Sequence, residues 1–129
     1  MKRYLLDTTT IIDLAKGAGA APQRLRRAIS AGDELGVCPV IVCEFEAGLL
    51  PADRLVWEGL LQRLQFWPIS LEAAQHAAAD RCAFARRGIR LSSTDAPIAA
   101  VAREFDAVLV TGNVKDFPQT DLQVVSWRR

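Results

Sequence analysis

The chain has 129 residues, half of them hydrophobic, and carries 16 Lys and Arg against 15 Asp and Glu for a formal net charge of +1. That length supports one buried core and excludes two independent ones, so a single domain over residues 1–129 is expected. Acidic Asp7 follows closely on Lys2-Arg3, which leaves no apolar run for a signal peptide or membrane span, and the three cysteines (Cys38, Cys43, Cys82) form no CxxC pair. A soluble, cytoplasmic protein with reduced, packed thiols is the expectation.

Tyr4 to Leu6 reads as a short apolar strand ending at Asp7, and Thr8, Thr9 and Thr10 offer N-cap hydroxyls to a helix through Ile11, Ile12 and Leu14. After the small-residue break Gly17 to Ala21, Pro22 opens a basic helix containing Arg24, Arg26 and Arg27, closed by Gly32. Leu35 to Val37 reads as a second strand. The run Val40 to Leu49 has no alternation, so its period fits buried strand or helix; a helix around Glu44 is preferred. Pro51 starts a further helix, with Trp57, Leu60, Leu61 and Leu64 at core-facing spacing, and Phe66 to Ile69 is a third strand.

Ser70 caps an Ala-rich helix over Leu71 to Arg87, with Glu72 early and Arg86, Arg87 and Gly88 late, all favourable to the macrodipole. Ser92, Ser93 and Thr94 precede Asp95-Ala96-Pro97, which puts Asp95 at a helix start. Val108 to Thr111 is a buried strand running into Gly112-Asn113, and Leu122 to Trp127 is the last strand. Strands alternating with helices imply an α/β fold with a central parallel sheet covered on both faces.

In such sheets, sites form outside the carboxyl ends of the strands. Asp7 ends the first strand, Thr111 and Asn113 end the fourth, Asp95 lies at a helix start beside them, and Glu44 reaches the same edge if its helix begins after the second strand. Carboxylates at contact distance repel one another, and a divalent cation relieves that repulsion. Mg²⁺ suits carboxylates and water, whereas Zn²⁺ wants His or Cys, and the only histidine is His76. If Asp7, Asp13, Glu44, Asp95 and Asp116 share one cleft, ten acids remain elsewhere against 16 bases, a surplus that suits a polyanionic substrate. The chemistry indicated is metal-assisted phosphodiester hydrolysis. A lone His76 does not supply the two histidines of a metal-free ribonuclease or a catalytic triad, and neither GxxxxGK[ST] nor GxGxxG occurs.

Taken together, Leu5-Leu6-Asp7-Thr8-Thr9-Thr10-Ile11-Ile12-Asp13, Glu44-Phe45-Glu46-Ala47-Gly48, Asp95-Ala96-Pro97-Ile98-Ala99-Ala100 and Val110-Thr111-Gly112-Asn113-Val114-Lys115-Asp116-Phe117 resemble a PIN domain, and more closely the VapC-type toxins of toxin–antitoxin pairs. The four motifs occur in the family's order and cover essentially the whole chain. The resemblance implies a three-layer α/β/α fold, Mg²⁺ dependence with Mn²⁺ as substitute, endoribonuclease activity on RNA, a homodimer, and a VapB-type antitoxin as partner. It also implies that Asp7, Asp95 and Glu44 are the metal-binding acids. Many relatives carry Asp where this chain has Asn113, and others carry the acid three residues later, here Asp116. Asp116 is therefore assigned an outer catalytic role, and Thr8, Thr111 and Asn113 hydrogen bonding or substrate binding.

Against these stand plainer readings: Asp7 as a turn residue, Asp95 as a charge at a helix start, Asp13 as a solvated helix residue and Glu46 as solvated or interfacial. Glu44 sits in an apolar run, where an unpaired carboxylate is costly to bury, which favours a functional role. The Arg24-Arg26-Arg27 cluster reads as a solvated face ahead of a phosphate site, and Trp57, Phe66 and Trp67 as core or interface ahead of base-stacking platforms. Trp127 reads as a packing anchor for the last strand. The runner-up function is a catalytically inactive PIN-fold module that binds protein.

Overall fold

The computed structural model describes all residues, 1–129. Five parallel strands, β1 (Arg3–Leu6), β2 (Glu34–Val37), β3 (Gln65–Phe66), β4 (Val108–Val110) and β5 (Val124–Val125), form one sheet in the order β3-β2-β1-β4-β5. Six helices connect them: α1 (Thr8–Lys16), α2 (Ala21–Ser30), α3 (Pro39–Ala47), α4 (Arg54–Leu61), α5 (Leu71–Arg86) and α6 (Asp95–Glu104). Successive strand residues face opposite sides of a sheet. Leu5 and Leu6 are both fully buried, as are Leu109 and Val110, so both faces of the central strands are covered and the architecture is three-layer α/β/α. No helix is long and apolar enough to cross a membrane.

The chain leaves β1 toward β2 and β3, then returns to the other side of β1 to lay down β4 and β5. Strand order therefore reverses between β1 and β4, and the register pairs Leu6 with Val110 at their carboxyl ends. The next residues on the two strands, Asp7 and Thr111, emerge side by side at this switch point.

Local differences from the sequence reading have identifiable causes. The edge strands are short: Phe66 to Ile69 contracts to Gln65–Phe66, with Trp67 N–H still donating to the Val37 carbonyl at 2.8 Å before Pro68, which has no N–H to give. Leu122 to Trp127 contracts to Val124–Val125, flanked by ladder bonds through Gln123. Pro51 opens a 3₁₀ turn, Pro51–Asp53, that leads into α4. On α4 Trp57 is buried, whereas Leu60 and Leu61 are half-buried, as is Leu64 just beyond the helix end. The thiols divide: Cys38 is buried and burial raises its pKa to about 11, while Cys43 and Cys82 are exposed and not packed as expected. Trp127 is buried against Tyr4, ring centroids 5.5 Å apart, and anchors the tail just beyond the last strand.

β2 carries a glycine for a packing reason. A β-carbon at Gly36 would lie 2.5 Å from the Trp67 indole, which is itself fixed by stacking on Phe105 at 5.0 Å and by its Nε1–H donating to Gln65 at 3.0 Å. Far from the switch point, Arg103 on α6 gives a bidentate pair to Asp121 at 2.6 and 3.0 Å and an ion pair to Asp80 on α5 at 2.7 Å, the latter too poorly aligned to count as a hydrogen bond. The guanidinium holds the Asp121 carboxyl below its ordinary range.

Candidate active site

The threonines after β1 do not cap α1. Asp7 occupies the N-cap position in extended conformation, and its carboxylate makes no capping bond. It accepts instead from the Thr111 hydroxyl at 2.8 Å, while its backbone N–H continues the ladder to Val110 at 2.9 Å. Thr10 donates to the Val110 carbonyl at 2.9 Å, and the Thr9 hydroxyl accepts from Gly112 N–H at 2.8 Å and lies 3.3 Å from the Thr111 hydroxyl. Thr8 donates in the other direction, to Glu44 on α3 at 3.3 Å. The Thr8-Thr9-Thr10 run thus fastens α1 to the end of β4 and to α3. The sequence reading took all three as caps, singled out only Thr8 for the site, and missed Thr9.

Thr111 is fully buried and uses its hydroxyl twice, donating to Asp7 and accepting from Asn113 N–H at 3.0 Å. Asn113 itself is exposed and leads into the 3₁₀ turn Val114–Asp116, where Asp116 is also exposed. Asp95 begins α6 with its backbone N–H on the Ser92 hydroxyl at 2.9 Å; Thr94 occupies the N-cap position but makes no side-chain capping bond, so the hydroxyl cap expected there is supplied from Ser92, two residues earlier.

Asp7 is buried, Asp95 half-buried and Glu44 exposed, so the expectation of a buried carboxylate within the apolar run is corrected at Glu44. The helical period turns Glu44 outward while Ile41 and Phe45 fill the core. Partial desolvation by its neighbours raises the Glu44 pKa above the carboxylate norm even though the side chain stays exposed, and the charges of Asp7 and Asp95 add to the rise against the Thr8 hydrogen bond. Burial likewise raises Asp95, with the Ser92 hydroxyl opposing and Asp7 and Asp116 contributing. A carboxylate at a helix N-terminus is ordinarily favoured, so a raised value there marks the weight of the surrounding burial and negative charge.

No Lys or Arg forms an ion pair with Asp7, Glu44, Asp95 or Asp116; the six ion pairs all lie elsewhere. No three of these acids converge closely enough, as they stand, to enclose an ion. The donor chemistry still fits a hydrated hard cation, because Mg²⁺ keeps most of its waters and needs only one or two direct carboxylates. Thr8 and Glu44 also border a groove of about 360 Å³ running between α1 and α3 past Ile12, Phe45 and Leu49.

Other candidates fall outside the cluster. Glu46, read as solvated or interfacial, accepts from the Trp57 indole N–H at 3.0 Å and pairs with Arg54 at 3.7 Å, so it serves packing. His76 is exposed on α5. Arg24 donates to the Arg129 carbonyl at 2.7 Å and clasps the tail. Trp57 and Trp67 are buried, whereas Phe66 is 57% exposed. Asp13, left open between site and solvent, is paired with Arg128 at 3.0 Å.

Comparison with known proteins agrees with this arrangement. The PIN domain family matches residues 4–122. Ribonuclease VapC19 of Mycobacterium tuberculosis is 31% identical over 92% of this chain and 96% of its own length, and the tRNA(fMet)-specific endonuclease VapC of Salmonella typhimurium is 27% identical over 98% and 99%. Among solved structures, VapBC2 from Rickettsia felis, bound to a DNA fragment from its promoter, superposes with a TM-score of 0.87 at 20% identity over 97% of this chain and 98% of the matched one, a likeness of fold. With the family match spanning nearly the whole chain and a relative above 30% identity across it, the chain belongs to the PIN-domain family and, within it, to the VapC-like proteins.

Proposed function

We propose that the chain is a single-domain, divalent-metal-dependent endoribonuclease, Mg²⁺ serving with Mn²⁺ as substitute, and that it acts as the toxin of a type II toxin–antitoxin pair. What supports this reading is that Asp7 leaves β1 at the strand-order switch and that its charge acts on Glu44 and Asp95, with Asp116 acting on Asp95 and none of the four paired with a base. Its relatives are named ribonuclease and endonuclease.

Asp7, Asp95 and Glu44 are the residues that would hold the metal. Bound there, it would polarise a phosphoryl oxygen and lower the pKa of a water for in-line attack. Thr111 fixes the rotamer of the Asp7 carboxylate, and Thr8 orients Glu44. Asp116 acts from outside, through its charge on Asp95. Asn113, exposed after β4, and Thr8, beside Glu44, would meet substrate, whereas Thr111 is fully buried and acts through Asp7 instead of touching substrate. A VapB-type antitoxin is the partner expected to silence the site, and a homodimer is the expected assembly; solved neighbours include VapBC complexes.

The test is cleavage of a panel of structured RNAs by wild-type and Asp95→Asn protein with Mg²⁺, Mn²⁺ or EDTA, after removal of any co-purified partner. Metal-dependent cutting that falls by at least about 100-fold in the variant is the expected result. A fully active Asp95→Asn protein would remove Asp95 from the site. No cutting and no Mn²⁺ binding by a folded wild type would return the protein-binding module in place of the nuclease.

A further inference from the structure

All four acids at the switch point repel a phosphodiester backbone, so an RNA chain needs a cation close by to hold it. One arginine, Arg128, lies against the loop that leaves β4. Asp13 lies one turn beyond Thr9 on the same side of α1. Thr9 accepts from Gly112 N–H, and Asp13 accepts from Arg128 Nε at 3.0 Å. The Arg128 guanidinium covers Gly112: a β-carbon at 112 would lie 2.7 Å from Nε and Nη2, so any side chain there would push the guanidinium aside. Gly112 sits between Thr111, which holds Asp7, and Asn113.

The backbone around Arg128 is fixed from several directions. Trp127 is buried, Arg128 N–H donates to Ser126 Oγ at 3.2 Å, and the Arg129 carbonyl accepts from Arg24 at 2.7 Å. The Arg128 carbonyl lies against Gly19, where a β-carbon would be 3.2 Å away. With Asp13 taking Nε, the terminal Nη1 and Nη2 groups have no protein acceptor, and the side chain is 51% exposed. A held guanidinium with its outer edge free is suited to bidentate phosphate binding, at little entropic cost.

We propose that Arg128 binds a backbone phosphate of the RNA beside the acidic site through Nη1 and Nη2, with Asp13 as its positioning residue. The inference rests on the ribonuclease reading and names a substrate contact that none of the four motifs contains.

The test is fluorescence anisotropy of a fluorescein-labelled, mixed-sequence single-stranded 20-nucleotide RNA, titrated with the protein in EDTA at several KCl concentrations. Loss of one phosphate contact should lower the slope of log affinity against log salt by about 0.7 and weaken binding by about fivefold or more at low salt. Arg128→Ala should show both effects. Arg128→Gln, which keeps an amide for Asp13 without a charge, should match it, and Arg128→Lys should recover much of the affinity. Asp13→Asn removes a negative charge and should tighten binding about twofold.

If Arg128 were only a latch for the tail, Arg128→Gln, which keeps an amide for Asp13, would bind RNA as tightly as wild type at low salt, and the proposal would be overturned. An unchanged slope in folded Arg128→Gln would overturn it as well, while leaving the ribonuclease reading in place. Wild-type protein that binds no RNA at any salt would take down both. Thermal melts of each variant separate loss of fold from loss of the contact.

Discussion

Thr111 carries more of the site's geometry than its chemistry advertises. Its buried hydroxyl donates to Asp7 and accepts from Asn113 N–H, so one atom fixes both a candidate metal ligand and the loop that follows β4. Thr111→Val keeps the shape and removes both bonds. Leaving these partners unpaired should cost about 1–3 kcal/mol of stability. Activity should fall by about tenfold, chiefly in kcat, with Thr111→Ser restoring most of it. Steady-state kinetics of the three proteins on one cleavable RNA checks this, and a fully active Thr111→Val protein would show that Asp7 orients itself. Asp7 was legible in the sequence because a short apolar strand ending in an acid is a local pattern. Glu44 was placed at the site by a helix beginning after the second strand, as α3 does; the burial also read from its apolar run is corrected, since the structure exposes it. Arg128 left no local signal: its position depends on Trp127 packing on Tyr4 and on Arg24 reaching the tail, contacts between segments more than 100 residues apart.

Among the elements, β2 is the most constrained because Gly36 faces the Trp67 indole. Gly36→Ala puts a methyl 2.5 Å from ring atoms that cannot yield freely, since Trp67 is stacked on Phe105 and tied to Gln65. Overpacking of this kind should cost about 2 kcal/mol, or roughly 8 °C in Tm for a domain of this size. A melt within 2 °C of wild type would mean that the indole slides aside without cost. Helices were easier to read than strands for the same reason that β2 needs this tertiary account. α5 announces itself through Ser70, whose hydroxyl accepts from Ala73 N–H at 3.0 Å, and through a terminal arginine, all within one stretch of sequence. β3 and β5 are only two residues each, and their extents are set by how far neighbouring strands run alongside them. The Glu44 segment had no readable period because α3 carries apolar residues on several sides; Pro39 at its first turn and the extended Cys38 before it make it a helix.

At the scale of the whole molecule, two groups of charges pull stability in opposite directions with pH. Glu44 and Asp95 have raised pKa values in the folded protein, so between the unfolded value and the raised one the folded chain binds more protons. Their contribution grows as pH falls through the raised values and is complete below the unfolded ones, near 4.5 and 3.8. Asp121 is the reverse: Arg103 lowers its pKa, so its contribution is present above the unfolded value near 3.8 and is lost as pH falls through the folded one. Glu44 and Asp121 are exposed and Asp95 only half-buried, so solvent screening keeps each contribution under about 1 kcal/mol. The metal-free protein should therefore gain stability as pH falls through the raised Glu44 and Asp95 values toward their unfolded ones, and lose it again at more acid pH as Asp121 takes up its proton. Asp95→Asn removes one repelling charge, so it should raise the metal-free Tm at pH 7.5 and flatten the neutral side of the profile while leaving the acid limb to Asp121. Saturating Mg²⁺ should reverse the neutral slope, because the cation binds the deprotonated acids and only in the folded chain. Melting curves at five pH values, with EDTA and with Mg²⁺, check all of this. Superimposable EDTA profiles for wild type and Asp95→Asn would mean that the acids at the switch point do not repel one another, and the electrostatic case for a cation there would fall with that result.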